Sequence, residues 1–128
     1  KSHQNSQYGY LAALQLGRFA ADEGDLATAV TSFQSVIDGG ADDNLAAIAR
    51  VRLARVLAAQ AQYQPALDVL NVELPKAYLA FANEIKGDVY VAQGDTAKAR
   101  EAYEKALNSD GSTLSPAVEL KLNSLAKS

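Results

Sequence analysis

The amino-acid sequence predicts an all-α fold of stacked helical hairpins, and three observations support this prediction. The apolar fraction of 48% is dominated by Ala, while aromatic residues supply only 7%, which favours close packing of helices over sheets. Apolar residues recur at helical spacing along most of the chain. A small residue followed seven positions later by Gly or Ala also recurs three times, beginning at Gly17, Ala54 and Gly87. The intervals of 37 and 33 residues are typical of repeats with two helices per unit, whose neighbours must stack to bury their apolar faces.

The first hairpin is predicted over about residues 7–40, after a polar lead-in at residues 1–6. Its first helix ends at Gly24, and Asp25 is suited to cap the N-terminus of the second helix. Gly39 is the stop signal of that second helix. A helix, a tight turn and a second helix therefore form one unit.

The second hairpin, over about residues 42–74, departs from this pattern. Asp42 or Asp43 can cap its first helix, but no Gly marks the turn that follows. Pro65 is tolerated only in the first turn of a helix, so the second helix is short and begins near Gln64. We interpret this unit as a degenerate repeat.

The third hairpin and a final helix complete the predicted domain, which spans residues 7–128. Gly94 and Asp95 repeat the turn of the first unit within a hairpin over about residues 76–109. Pro116 then starts a capping helix over about residues 115–126. The period and the two helices per unit predict a tetratricopeptide-like right-handed superhelix of about three hairpins plus a C-terminal capping helix.

Small residues at recurring positions indicate where the two helices of each hairpin cross. We expect the small residues Gly17, Ala54 and Gly87 to face small residues of the second helices, and larger side chains to fill the groove toward the next hairpin. The facing residues in this prediction are Ala29, Ala66 and Ala99, and the larger ones are Phe33, Leu70 and Tyr103.

Composition and charge argue against several classes of function. The net charge is −3 and Lys and Arg are scattered, so the basic patch of a nucleic-acid binder is missing. The chain has no Cys, and its one histidine, His3, lies in the polar lead-in, so the sequence offers no thiol nucleophile, triad or metal site. It also has no phosphate-binding Gly-rich loop. We therefore expect no enzyme activity, no cofactor and no nucleic-acid partner.

The chain contains no Met, which leads us to expect that Lys1 is not the natural start and that an upstream piece has been removed. No apolar run approaches the roughly 18 residues that span a bilayer. Any membrane contact is therefore expected only through a missing N-terminal anchor.

In stacked hairpins the first helices line the concave surface, so their positions outside the core are candidates for contact with a protein partner. The apolar candidates are expected to form a contiguous stripe beside the arginines, suited to segments of other proteins. Missing upstream helices or the last helix could instead cover this stripe. The full set is Leu11, Leu14, Arg18, Ile48, Val51, Arg55, Phe81, Glu84 and Asp88.

Arginines of the third predicted helix could add a small basic spot, because Arg52 and Arg55 are three residues apart on one helix. Domains of this class that grip a C-terminal carboxylate use Lys and Asn on first-helix faces. Here only Arg is available on the comparable face, which disfavours such a clamp.

Several segments together resemble the YfgM-type ancillary subunits of the bacterial SecYEG translocon, over about residues 7–126. The segment Val51-Arg52-Leu53-Ala54-Arg55 is the most specific, and the others are Gln7-Tyr8-Gly9, Asn44 to Ile48, Lys86-Gly87-Asp88 with Gly94-Asp95, and Lys121 to Leu125. The resemblance implies a single inner-membrane helix and a periplasmic helical-repeat domain that works with a periplasmic chaperone at the translocon. It therefore implies a non-catalytic protein-binding module on the periplasmic side of the inner membrane, with translocon subunits, a chaperone or client segments as partners.

Two other functions stay open on the sequence. A cytosolic scaffold or regulatory adaptor would use the same fold, and a self-association module would complete its core with repeats of a second chain. The anchor and the first helices of the resembled subunits are absent from this chain, so the complete groove is not visible in the sequence.

Overall fold

The computed structural model describes residues 3–109 and 116–126, and these residues form seven α-helices and one 3₁₀ turn. The expected all-α, tetratricopeptide-like fold is confirmed. The α-helices are α1 His3–Asp22, α2 Leu26–Asp38, α3 Asp43–Ala59, α4 Tyr63–Leu70, α5 Leu79–Ala92, α6 Thr96–Leu107 and α7 Pro116–Ala126, and the 3₁₀ turn Lys76–Tyr78 leads into α5.

Helix boundaries differ from the sequence prediction at two places. Helix α1 begins at His3, so residues 3–6, predicted as a polar lead-in, are helical. Helix α4 ends at Leu70, and the chain then runs without helix to Pro75. Arg50 of α3 donates a hydrogen bond from Nη1 to the Val69 carbonyl at 2.9 Å, which satisfies one of the unpaired carbonyls at the end of α4. Residue 115, where the capping helix is predicted to begin, lies outside the described residues.

All three hairpin turns close in the same way, although only two contain Gly. The backbone adopts a positive φ of 84° at Gly24, 62° at Ala61 and 81° at Gly94. In each turn the next backbone N–H donates to a carbonyl five residues earlier, which is the Schellman closure of a helix C-terminus. These bonds are Asp25 to Ala20 at 2.8 Å, Gln62 to Leu57 at 2.8 Å and Asp95 to Tyr90 at 2.9 Å. The middle repeat therefore keeps the turn geometry without the turn glycine.

Each hairpin is closed by one large side chain of its second helix, which packs on one small residue of its first helix. A Cβ built on Gly17 would lie 2.6 Å from Cε1 of Phe33, and a Cβ on Gly87 would lie 2.8 Å from Cζ of Tyr103. The aromatic rings thus pack on the first helix of their own hairpin, and they also belong to clusters with the next helix, Phe33 with α3 and Tyr103 with α7, as predicted. In the middle repeat the equivalent positions are Ala54 and Leu70, both buried in one cluster.

Three hydrophobic clusters follow one another along the stack. The first joins α1, α2 and α3 around Phe33, and the second joins α3, α4 and α5 around Leu70. The third joins α6 and α7, where Val118 packs with Tyr103. Because each cluster draws on consecutive helices, the first helices α1, α3 and α5 lie side by side along the stack.

Candidate protein-binding face

The first helices α1, α3 and α5 present a common surface, which we call the first-helix face. On each helix the three predicted contact residues are separated by intervals of three and four positions, about one helical turn each, and they therefore share one side of that helix. Leu11 and Arg18 are exposed on α1, and Arg55 is exposed on α3. These three side chains are accessible to a partner.

The predicted apolar stripe along this face is not continuous. Leu14 is only 4% exposed and belongs to the first core cluster, so the prediction that it lines an open groove is wrong. Ile48 packs on the first cluster and Val51 on the second, and both are half-buried. Leu11 and Phe81 remain nearly half exposed. Core packing between adjacent first helices thus buries the middle of the stripe.

Between α1 and α3 the face contains a cavity of about 310 Å³ that we call the basic cleft. Three arginines line it, Arg18 from α1 and Arg52 and Arg55 from α3. Phe33 and Val56 also line it, together with Ala21 and Asp22. Folding therefore brings the two predicted arginines, Arg18 and Arg55, into one site and adds Arg52 from the predicted basic spot.

The arginines of the basic cleft stand without an ion pair within the described part of the chain. The salt bridges found there join only Lys121 to carboxylates of α5. Arg50, on the same helix as Arg52, behaves differently because its guanidinium is bound to the α4 carbonyl of Val69. The guanidinium groups of the cleft therefore keep their donors available for a ligand.

A second cavity of about 330 Å³ continues the basic cleft across α1. Arg18 and Asp22 line both cavities, and Gln15 and Phe19 line only the second. The Phe19 ring is 63% exposed. An aromatic surface therefore lies beside the arginines.

The opposite end of the first-helix face is closed by the last helix. Lys121 of α7 lies 2.8 Å from Oε2 of Glu84 and 3.0 Å from Oδ1 of Asp88, both on α5. The Tyr103 hydroxyl donates to Asp88 at 2.6 Å. Glu84 is only 8% exposed, so the predicted role of this acid as an open contact residue is wrong, and α7 explains why.

These contacts shift two pKa values on the closed end. Burial, the hydrogen bond to Asp88 and the charges of Asp88 and Glu84 together raise the pKa of Tyr103. Burial alone would lower the pKa of Lys121, but its hydrogen bonds to Glu84 and Asp88 prevail and raise it. The Lys121 ammonium is therefore firmly held as a cation over the two carboxylates.

Other cavities lie elsewhere in the stack. One of about 600 Å³ lies between α3 and the segment after α4, and the bound Arg50 side chain lines it. Two polar cavities share Lys86, Tyr90 and Lys98; one lies between α5 and α6, and the other also borders α4. Burial and then the nearby Lys105 lower the pKa of Lys86. Among the described residues no cluster of His, Asp or Glu is suited to a metal ion.

None of the described helices is long and apolar enough to cross a membrane.

The sequence did not predict the closure of α5 by Lys121, because nothing in the spacing shows which first-helix acids the last helix will cover. The sequence placed Arg18, Arg52 and Arg55 on first helices, but it did not show that these three residues line one cavity.

Comparison with known proteins supports the fold and the resemblance. The profile of the family described as tetratricopeptide repeat-like domain matches residues 1–127. The chain is 30% identical over 126 residues to a protein of Escherichia coli (strain K12) named ancillary SecYEG translocon subunit. It is also 27% identical to the subunit of that name in Aggregatibacter actinomycetemcomitans and 26% identical to the one in Haemophilus influenzae.

Each alignment covers 98% of this chain, and the chain spans 61% of the length of these relatives. The resemblance to ancillary translocon subunits is thereby confirmed. Since the family profile covers nearly every residue and the helices stack as its repeats require, the chain belongs to the tetratricopeptide repeat-like domain family.

Proposed function

We propose that this chain is a non-catalytic protein-binding domain of an ancillary translocon component, and that it engages its partners with the first-helix face. The relatives carry the name ancillary SecYEG translocon subunit, and stacked helical repeats use such surfaces to bind other polypeptides. The observation that carries the proposal is the basic cleft, because its arginines have no ion pair among the described residues.

The two ends of the first-helix face differ in whether they are accessible to a partner. Lys121 pairs with both Glu84 and Asp88, so the α5 end is occupied by the chain's own last helix. Exposed Leu11 and the basic cleft remain available at the α1 end. A partner therefore binds mainly across α1 and α3, with Phe81 as its farthest contact.

We further propose that the domain works on the periplasmic side of the inner membrane, tethered by an anchor in the complete protein. Translocon subunits, a periplasmic chaperone and client segments are the proposed partners. The absence of Cys from the chain makes this location testable with a single introduced cysteine. A cysteine at the exposed Arg100 should react with a membrane-impermeant maleimide in spheroplasts without lysis, and reaction only after lysis would contradict the location.

Site-specific photo-crosslinking in the full-length protein tests the binding surface. A photoreactive residue placed at Leu11 or Phe81 should yield crosslinks to translocon subunits or clients in cells. The matched controls are the exposed positions Thr31 and Arg100, which lie on the second helices α2 and α6. Equal crosslinking from the controls, or none from Leu11 and Phe81, would overturn the assignment.

Leu14 is excluded from this experiment on physical grounds. A charge at this buried position would cost several kcal/mol of folding free energy, so a lost crosslink would report unfolding. Leu11 and Phe81 are exposed, so a lost crosslink at these positions would not report unfolding.

A further inference from the structure

The basic cleft is notable because three like charges share one small cavity. Arg18 approaches from α1, and Arg52 and Arg55 approach from α3, around about 310 Å³. Like charges that line one cavity repel one another, and an anion bound between them removes this repulsion. Among the described residues only Asp22 adds a carboxylate to this lining, and it forms no ion pair there. The cleft therefore has an excess of positive charge.

Accessible apolar surface adjoins this charge on one side. Phe33 and Val56 border the cleft as buried core residues, whereas the exposed Phe19 lines the cavity that continues from it. A small inorganic anion would use the arginines but leave the aromatic surface in water. A ligand that carries carboxylates beside apolar side chains uses both.

From these observations we infer that the basic cleft binds an acidic segment of a partner polypeptide, with side-chain carboxylates on Arg18 and Arg55 and an adjacent apolar side chain against Phe19. This inference rests on the proposed function and names the chemistry of its partner. The planar guanidinium fork can hold a carboxylate through two parallel hydrogen bonds, which gives orientation as well as attraction.

The rest of the chain makes the site selective for a local acidic segment. The chain as a whole carries a net charge of −3, so an acidic partner is repelled elsewhere and attracted at the cleft. Three arginines are also too few to follow the backbone of a nucleic acid. The volume of the two adjoining cavities, about 310 and 330 Å³, suits a few side chains rather than a folded domain.

Peptide binding to the purified chain tests the inference by fluorescence anisotropy. The probe is a labelled peptide, acetyl-SEEFEELS-amide, and its matched control is acetyl-SQQFQQLS-amide, which keeps the apolar residues and removes the charges. The acidic peptide should bind, the control should bind roughly tenfold more weakly or worse, and binding should weaken as NaCl rises from about 0.05 to about 0.5 M.

The double variant Arg18→Gln with Arg55→Gln tests the site. Both side chains are exposed, so the fold should persist, and circular dichroism checks this. Affinity for the acidic peptide should fall about tenfold or more. The matched control Arg100→Gln removes an exposed arginine outside the cleft and should bind as the parent chain does.

Four outcomes would overturn the inference: unchanged affinity of the double variant, equal binding of the uncharged peptide, binding only by a version with a free C-terminal carboxylate, or preference for anionic phospholipid vesicles over the peptide. Peptide binding by the parent chain, compared with crosslinking of the parent full-length protein, separates this inference from the proposed function. Persistent crosslinks from Leu11, together with no peptide binding, would refute the acidic segment and leave the binding face intact. Peptide binding without any crosslinks in cells would refute the binding face and leave the acidic-segment site intact.

Discussion

Helix α1 carries two glycines in helical conformation whose replacement by Ala should change stability in opposite directions. Gly17 is buried, and a Cβ there would lie 2.6, 2.8 and 2.9 Å from three ring carbons of Phe33. Gly9 is exposed, and a Cβ there would meet nothing within 4 Å. The same substitution in one helix thus isolates the effect of packing from that of helix propensity.

The magnitude follows from two opposing contributions. Replacing Gly by Ala inside a helix favours folding by about 0.8–1 kcal/mol at either position. At Gly17 the Phe33 ring would have to retreat by roughly 1 Å to restore an ordinary contact near 3.5 Å, and it is only 1% exposed within a packed core. Such overpacking costs about 1–3 kcal/mol. Gly17→Ala should therefore be less stable than Gly9→Ala by about 1–3 kcal/mol.

Urea unfolding followed by circular dichroism measures this difference directly. Gly9→Ala should raise the unfolding free energy, and Gly17→Ala should leave it unchanged or lower it by up to about 2 kcal/mol. The loss should shrink in a Phe33→Leu background, because the smaller side chain leaves room for the methyl group. Equal stabilisation by the two substitutions, or no coupling to Phe33, would refute the close-packing argument.

Three further predictions concern the turns and the closed end of the stack. Ala61→Gly should stabilise the chain by about 0.5–1 kcal/mol in urea unfolding, because Ala is strained at its φ of 62°; a loss would contradict the strain. Gln62→Asp alone should change the unfolding free energy little, because the backbone N–H that donates to the capping Asp in the other repeats is replaced here by Pro65, which has none. In a double-mutant cycle with Pro65→Ala, the double variant should gain about 1 kcal/mol of stability beyond the sum of the two single effects. Stability should fall above pH 10, by up to about 1.4 kcal/mol per pH unit from Tyr103, because its raised pKa keeps the proton in the folded state while the unfolded chain ionises. Tyr103→Phe should flatten this alkaline slope in unfolding measured between about pH 10 and 11.5.

The repeat architecture was predictable because it depends on local signals. Asp25 and Asp95 cap α2 and α6 through bonds to the N–H three residues later, as their sequence positions indicate. The turn at Ala61 shows the limit of such signals. Its geometry is imposed by helix packing on both sides, so a residue that disfavours positive φ adopts it.

The candidate site was only partly predictable because it depends on which side chains the stack buries. Arg18 and Arg55 were expected on the same face, and the structure places them in one cavity. Leu14 looked equivalent by spacing, but the close approach of α1 to α2 and α3 takes it into the core. Helical periodicity defines a side of one helix, whereas burial depends on the angle at which the next helix crosses it.

The electrostatics of the first-helix face give it a direction. At the α5 end, the cation Lys121 of the chain itself lies over Glu84 and Asp88. Lys121 belongs to α7, which packs on the third hairpin in the place where the first helix of a further repeat would pack. At the α1 end three arginines converge without such compensation among the described residues. A helix or extended segment that continued the stack at the α1 end would complete the pattern if it carried acids where α7 carries Lys121. At the closed end, the cation Lys121 of an additional helix compensates the acids of the face. At the open end, the arginines would be compensated in the same way by acids of an additional segment.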